Sequence, residues 1–226
     1  MPTEPTTAVQ DHLKAIHRLG GAGDLVSTAR LAEHLDLRSP SVTGMLKRLG
    51  EHGWILYEPS RGARLSPAGL TEALRVIRRH RLVETFLADV LGLDWSEVDA
   101  EAEALEHAIS PRLEEAIARY LGDPGEDPHG HPIPTAQGTL PTRDLKPLCD
   151  YRDGDTVVIR EVQDDNPARL VHWQKLGLKP GVVVTVVSYQ PLDDIFELSA
   201  GGQTLRMGSE GLAGLRGEVR RTPPPD

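Results

Sequence analysis

The chain has 226 residues, 38% of them apolar and only 4% aromatic, and a formal net charge of −9. That is enough for one large or two to three small domains, packed mainly by Leu, Val and Ala. No apolar run approaches the roughly 18 residues that cross a bilayer. The opening MPTEPTTAVQDHLK has neither the basic start nor the apolar stretch of a secretory signal. The single Cys149 excludes an internal disulfide framework and any multi-cysteine zinc site. A cytoplasmic protein is expected.

In chain order, residues 7–19 read as a helix with Leu13, Ile16 and Leu19 inward, ended by the glycines that follow. Ser27 or Thr28 caps a short helix through Leu31 and Leu35. After the tight connection DLRS, Pro40 marks the first turn of a helix to about Glu51, and Gly53 stops it. Trp54–Tyr57 and Ala63–Leu65 read as strands of a hairpin turned by EPSRG. Ser66 and Pro67 open a long helix to about Leu91, and Asp94 is expected to cap a helix over 95–108. Ser110–Pro111 opens a helix to Tyr120, and residues 122–141 read as a Gly/Pro/Asp-rich loop. Beyond residue 150, short strands at Thr156–Arg160, Val182–Tyr189, Ile195–Leu198, Gln203–Met207 and Gly217–Val219, with one helix near Ala168–Leu176, predict a small β-barrel. The fold class is mainly α with small β parts. Three domains are expected: 1–74, 75–141 and 142–226.

Two short helices on a tight turn followed by a basic hairpin make a winged helix-turn-helix. Its second helix would present Arg38, Ser39, Pro40, Ser41 and Thr43 to the major groove of double-stranded DNA. Lys47 and Arg48 would meet phosphate further along, and Arg61 sits at the wing tip. Charge partitions accordingly. Residues 1–80 carry 11 Lys/Arg against 8 Asp/Glu, whereas residues 81–150 carry 5 against 15. The basic excess is modest, so DNA affinity would draw partly on dimerisation.

The acidic segment concentrates on WSEVDAEAEALEHA, where Asp99, Glu103, Glu106 and His107 share a sector of roughly 100° on a helical wheel. On the preceding helix His80 and Glu84 stand at i and i+4. Residues 94–109 contain no Lys or Arg, although solvated acidic faces usually intersperse them. A cation is the expected partner. Carboxylates with one or two imidazoles suit Mn(II) or Fe(II).

These residues resemble the diphtheria-toxin-repressor family of metal-dependent regulators. The match runs through the winged helix, HRLVETFLADVLGLDWSEVDAEAEALEHAIS and HGHPIP, and more weakly into a last domain similar to the SH3-like domain of longer members. The resemblance implies a homodimer on a palindromic operator, with two metal positions per subunit. It assigns Glu103, Glu106 and His107, with Asp11 of the first helix, to the main site, and His80, Glu84 and Asp99 to an ancillary one. Where iron-type members carry a thiol and a thioether, this chain has Glu103 and Asp11, which moves the expected ion toward Mn(II). Asp99 stands in place of a family His. Short manganese-type members have a second carboxylate one turn after Asp11; here that residue is Lys14, which argues against their bridged two-ion arrangement. Asp165, Asn166 and His172 are candidates for ligands lent by the last domain.

The expected function is a manganese-responsive, or iron-responsive, repressor of metal-homeostasis genes, and not an enzyme. Without metal, the acidic stripe would repel Asp11; metal would tie the two together. Two alternatives stay open on the residues alone: a metalloenzyme built on the two-helix carboxylate–His site, and a winged-helix regulator of an organic ligand.

Overall fold

Helix α1 (Thr7–Gly20) lays Leu13, Ala15 and Ile16 into a core shared with Leu31 of α2 (Thr28–His34) and with Val42, Leu46 and Leu49 of α3 (Ser39–Glu51). The computed structural model describes residues 5–20, 23–163 and 166–220 and divides into two units. The first comprises the chain through His80 together with Glu106–Ile109 and Pro134–Leu140. Each fully buried Leu or Ile in such a core stabilises it by roughly 1.5–3 kcal/mol. Ser27 caps α2 by accepting from the Arg30 N–H, and Pro40 lies in the first turn of α3, where its missing N–H costs nothing.

The hairpin of β1 (Ile55–Glu58) and β2 (Gly62–Leu65) is antiparallel, with Leu56 opposite Arg64 and Tyr57 opposite Ala63. Val26 bridges to Ala63, tying the hairpin to the segment before α2. Gly62 has φ +127°, and a Cβ there would lie 2.1 Å from the Val26 carbonyl oxygen, so the wing root admits only glycine. Ser66 accepts from the Gly69 N–H and Pro67 begins α4 (Pro67–Asp89), as its sequence signal predicts. Residues of α4 through His80 belong to the first unit.

The second unit contains the rest of α4, α5 (Val98–Leu105), α6 (Pro111–Tyr120) and the C-terminal sheet. The helix expected over 95–108 is shorter at both ends. Asp94 does not cap it: its Oδ1 accepts from the Ser96 N–H and hydroxyl, closing a turn over residues 95–97. At the other end Glu106, His107 and Ala108 form a turn. Ser110 is extended (ψ 155°) ahead of Pro111, as a residue before proline prefers, so the chain cannot run helically from one element into the next.

Strands β3 (Lys146–Pro147), β4 (Thr156–Val162), β5 (Val183–Gln190), β6 (Ile195–Ala200), β7 (Gln203–Gly208) and β8 (Leu215–Val219) form one antiparallel sheet, in the order β3-β8-β4-β5-β6-β7. Irregularities between Ile159 and Glu161 and between Val186 and Ser188 bend β4 and β5. Helix α7 (Pro167–Lys175) plants Trp173 and Leu170 in a core with Ile159, Val184, Phe196 and Leu215. A short helix α8 (Ser209–Leu212) precedes β8. This is the expected small β domain. Its shortest strand, β3, and α8 lie outside the sequence expectation because two to four residues carry no period.

Candidate metal centres and nucleic-acid interface

In the first unit, α1 and the turn after α5 bring Asp11, Glu106 and His107 together, each offering a ligand atom within 4.8 Å of the others. His107 Nε2 lies 2.8 Å from Asp11 Oδ1 and 3.3 Å from Glu106 Oε1. The other ring nitrogen is fixed: Glu72 Oε1 accepts from Gln10 Nε2 at 2.9 Å, so Gln10 presents its Oε1 to His107 Nδ1 at 2.8 Å. Nδ1 is therefore committed to donating to Gln10, and Nε2 faces the two carboxylates. That is the arrangement of a metal-ligating histidine held by an outer partner. Gln10 and Glu72 escape sequence reading, since an amide and a carboxylate 62 residues apart have no spacing signal.

Glu106 is fully buried and carries a second set of partners. Lys14 Nζ sits 2.7 Å from its Oε2 and 3.0 Å from Oε1, and His80 Nδ1 lies 2.6 Å from Oε2. Burial pushes the Glu106 carboxyl upward, but the His80 hydrogen bond and the Lys14 charge outweigh it and hold the group below the ordinary range. The cation that residues 94–109 lack is thus supplied in part from within, by α1.

Glu103 lies exposed on α5, one turn before Glu106. In the second unit Glu84 is fully buried on α4, and Asp99, in the first turn of α5, offers an oxygen within 4.8 Å of it. His80 precedes Glu84 by one turn of α4.

A further cluster lies where the sequence predicts only a loop. Asp127, His129 and His131 offer ligand atoms within 4.8 Å of one another, and His129 Nδ1 lies 3.5 Å from Glu84 Oε1. Asp127 Oδ1 accepts from the N–H groups of His129 and His131, which turns the DPHGH segment back on itself. Gly130 (φ +86°) makes this possible, since a Cβ there would lie 1.9 Å from the Arg160 carbonyl oxygen. His129 is fully buried, and its Nε2 donates to the Trp95 carbonyl at 2.7 Å, leaving Nδ1 as the ligand atom. The buried Asp127 Oδ2 has no hydrogen bond; it faces His131 Nδ1 at 3.3 Å and Arg81 Nε at 3.5 Å. The legible signal is His-x-His two residues after an Asp, a ligand pattern that the Gly and Pro of the same segment mask as turn chemistry. Both clusters consist of oxygen and imidazole donors, a set that fits a hard or borderline divalent ion.

Of the remaining candidates, His172 is exposed on α7 and belongs to none of the possible ligand clusters among the described residues, while Asn166 caps α7 by accepting from the Arg169 N–H. Asp165 lies outside the described residues.

On α3 the residues Arg38, Ser39, Pro40 and Ser41 are exposed at its N-terminus, and Lys47 and Arg48 are exposed further along. Thr43 donates its hydroxyl to the Ser39 carbonyl at 2.8 Å, so toward DNA it offers only an acceptor. Arg61 at the wing tip pairs with Glu58. Arg64, exposed on β2 among buried neighbours, is a second wing cation that the strand alternation could have revealed.

A winged helix-turn-helix and buried carboxylate–imidazole clusters in one chain define a metal-responsive DNA-binding regulator. Comparison with known proteins agrees. The family models described as "Iron dependent repressor, N-terminal DNA binding domain" and "Iron dependent repressor, metal binding and dimerisation domain" match residues 5–63 and 66–135. The FeoA domain matches residues 146–212. The diphtheria toxin repressor of Corynebacterium jeikeium is 35% identical over 200 residues, 78% of this chain and 83% of that protein. The iron-dependent repressor IdeR of Mycobacterium leprae is 32% identical over 188 residues, 77% and 81% of the two chains. With IdeR of Mycobacterium tuberculosis, 37% identity extends over 123 residues, 54% of each chain. Among solved structures, a manganese-dependent transcriptional repressor in complex with manganese superposes with a TM-score of 0.88 at 34% identity, covering 94% of this chain and all of that one. The chain belongs to the diphtheria-toxin-repressor family of iron-dependent repressors, metal-responsive DNA-binding repressors with an SH3-like C-terminal domain.

Proposed function

We propose that this repressor responds to Mn(II), with Fe(II) as the other ion its ligands accept. Asp11, Glu106 and His107 would hold the ion, joined by Glu103 from the adjacent turn of α5. Asp127, His129 and His131 with Glu84 would hold a second; His80 and Asp99 are the remaining ancillary ligands. The observation that carries this reading is the Glu72–Gln10–His107 relay, which commits Nδ1 to Gln10 and turns Nε2 toward two carboxylates. Sulfur is absent from every proposed ligand, which favours Mn(II). The named relative with a TM-score of 0.88 is a manganese-dependent repressor.

In this reading residues 1–74 bind DNA, 75–141 sense metal and form a homodimer, and 142–226 are an SH3-like appendage. Among the described residues no helix is long and apolar enough to cross a membrane. In this reading the place of action is the cytoplasm. The clusters are ligand sets for sensing and not a catalytic centre. A bound divalent ion supplies the positive charge that two carboxylates and an imidazole share. Asp11 is then fixed to Glu106 and His107, and α1 transmits this through Leu13 and Ile16 to the core that seats α3. Arg38, Ser39, Pro40, Ser41 and Thr43 of each subunit thereby meet the two halves of a palindromic operator. Because metal and DNA favour one state, each tightens the other by the same factor.

A gel-shift titration with and without Mn(II) tests this. Glu106→Ala is expected to fold and to lose metal-dependent operator binding. Wild-type affinity in that variant without metal would overturn the mechanism.

A further inference from the structure

The Glu106 carboxylate faces one set of partners from each side. Oε1 faces His107 Nε2 at 3.3 Å, which lies 2.8 Å from Asp11, and also accepts from Lys14 Nζ at 3.0 Å. Oε2 takes the Lys14 ammonium at 2.7 Å and the His80 Nδ1–H at 2.6 Å, with Lys14 Nζ 3.2 Å from the same His80 nitrogen. The Lys14 side chain is 11% exposed, and that of Glu106 is fully buried. An ammonium contacting both oxygens of a buried carboxylate beside an imidazole takes up the position from which a second divalent ion would share Glu106.

Local geometry sets this up. Lys14 follows Asp11 by three residues on α1, so the two side chains leave the same helix face. Asp11 reaches one side of Glu106 and Lys14 the other. The lysine is anchored through the buried stem of α1 and neutralises a carboxylate that burial would otherwise penalise heavily. A second ion on the His80 side would have to displace Lys14 from both oxygens or approach it within a few ångströms, and like charges at such range repel strongly in a protein interior.

We infer that Lys14 is a tethered cation that fills the second cation position around Glu106 and restricts the Asp11–Glu106–His107 centre to a single divalent ion. The inference rests on that centre being a metal site. It makes Lys14 a determinant of stoichiometry, and of affinity too, because a fixed positive charge beside the ion weakens its binding.

Mn(II) loading of the full-length wild type, Lys14→Glu, Lys14→Met and Glu106→Ala, followed by calorimetry and low-temperature electron paramagnetic resonance, tests this. The wild type is expected to hold magnetically isolated Mn(II). Lys14→Glu is expected to take up one more ion per protomer and to show the spectrum of an exchange-coupled pair sharing a carboxylate. Lys14→Met, which keeps the length and removes the charge, is expected to gain no ion but to bind Mn(II) about tenfold more tightly. A coupled pair in the wild type overturns the inference. So do isolated ions only in a folded Lys14→Glu, or unchanged or weaker binding in Lys14→Met. If Glu106→Ala binds as many ions as the wild type, the metal reading of the centre fails and takes this inference with it.

Discussion

His107 Nδ1 donates to Gln10 Oε1 at 2.8 Å, and this bond decides which ring nitrogen meets Asp11. Glu72, 5% exposed on α4, accepts from the Gln10 amide and fixes its orientation. Gln10→Leu keeps the volume and removes the relay. Mn(II) affinity at the centre is expected to fall by about 10- to 100-fold, the usual cost of losing an outer partner of a ligating histidine. Calorimetric titration measures it, with circular dichroism to show that the fold persists; affinity within twofold of wild type would show that the relay does not orient the ring.

Asp127→Asn separates the charge of the DPHGH cluster from its architecture. The Asn oxygen can still accept from the His129 and His131 N–H groups, as Asp127 Oδ1 does at 2.8 Å and 3.0 Å. The expected outcome is a metal-free melting temperature near that of wild type and one fewer Mn(II) retained per protomer after equilibrium dialysis. Unchanged metal content would remove Asp127 from the ligand set.

Arg61, at the wing tip and proposed to meet phosphate, is already partnered by Glu58. Arg61→Ala is expected to weaken binding uniformly across operator sequences and to lower the slope of log affinity against log salt by about 1. Glu58→Ala, which releases Arg61, is expected to strengthen DNA binding. Fluorescence anisotropy at several salt concentrations checks both; sequence-dependent losses for Arg61→Ala would place the residue on a base edge instead.

Asp194 gives the C-terminal sheet a defined acid sensitivity. Its Oδ2 accepts from the Ser209 hydroxyl at 2.6 Å and the Ser209 N–H at 3.1 Å, and the Ser209 hydroxyl bond is the main cause that holds its pKa below the ordinary 3.8. A depressed carboxylate binds its proton more readily in the unfolded chain, so its stabilisation is fully present above the unfolded value. It is lost as pH falls through the lower folded value. Asp194→Asn is therefore expected to lower the melting temperature at pH 6, with the gap to wild type narrowing toward pH 3. A gap that does not depend on pH would assign the effect to hydrogen bonding without charge.

How far these features can be read from sequence depends on how local their causes are. The wing, α3 and α4 announce themselves through Pro40, Ser66 and Pro67, each acting within a few residues. The ligand spacing of Glu106 and His107 is equally visible, although these two residues sit in a turn past α5 and not within a helix. What holds them in place is not visible. Lys14 and Glu106 are 92 residues apart, Gln10 and His107 are 97 apart, and only the packing of α1 against that turn joins them. The His129–Glu84 approach likewise depends on Gly130 fitting against the Arg160 carbonyl, a contact that no periodicity encodes.

Every candidate ligand in both clusters binds through oxygen or imidazole nitrogen, and the lone thiol, Cys149, is held above its ordinary pKa mainly by burial. Neither cluster contains a group that peroxide converts to a sulfenic acid or a disulfide. Oxidative stress, which disables thiolate-ligated sensors by consuming a ligand, would leave this one able to report metal supply while the redox state of its surroundings changes.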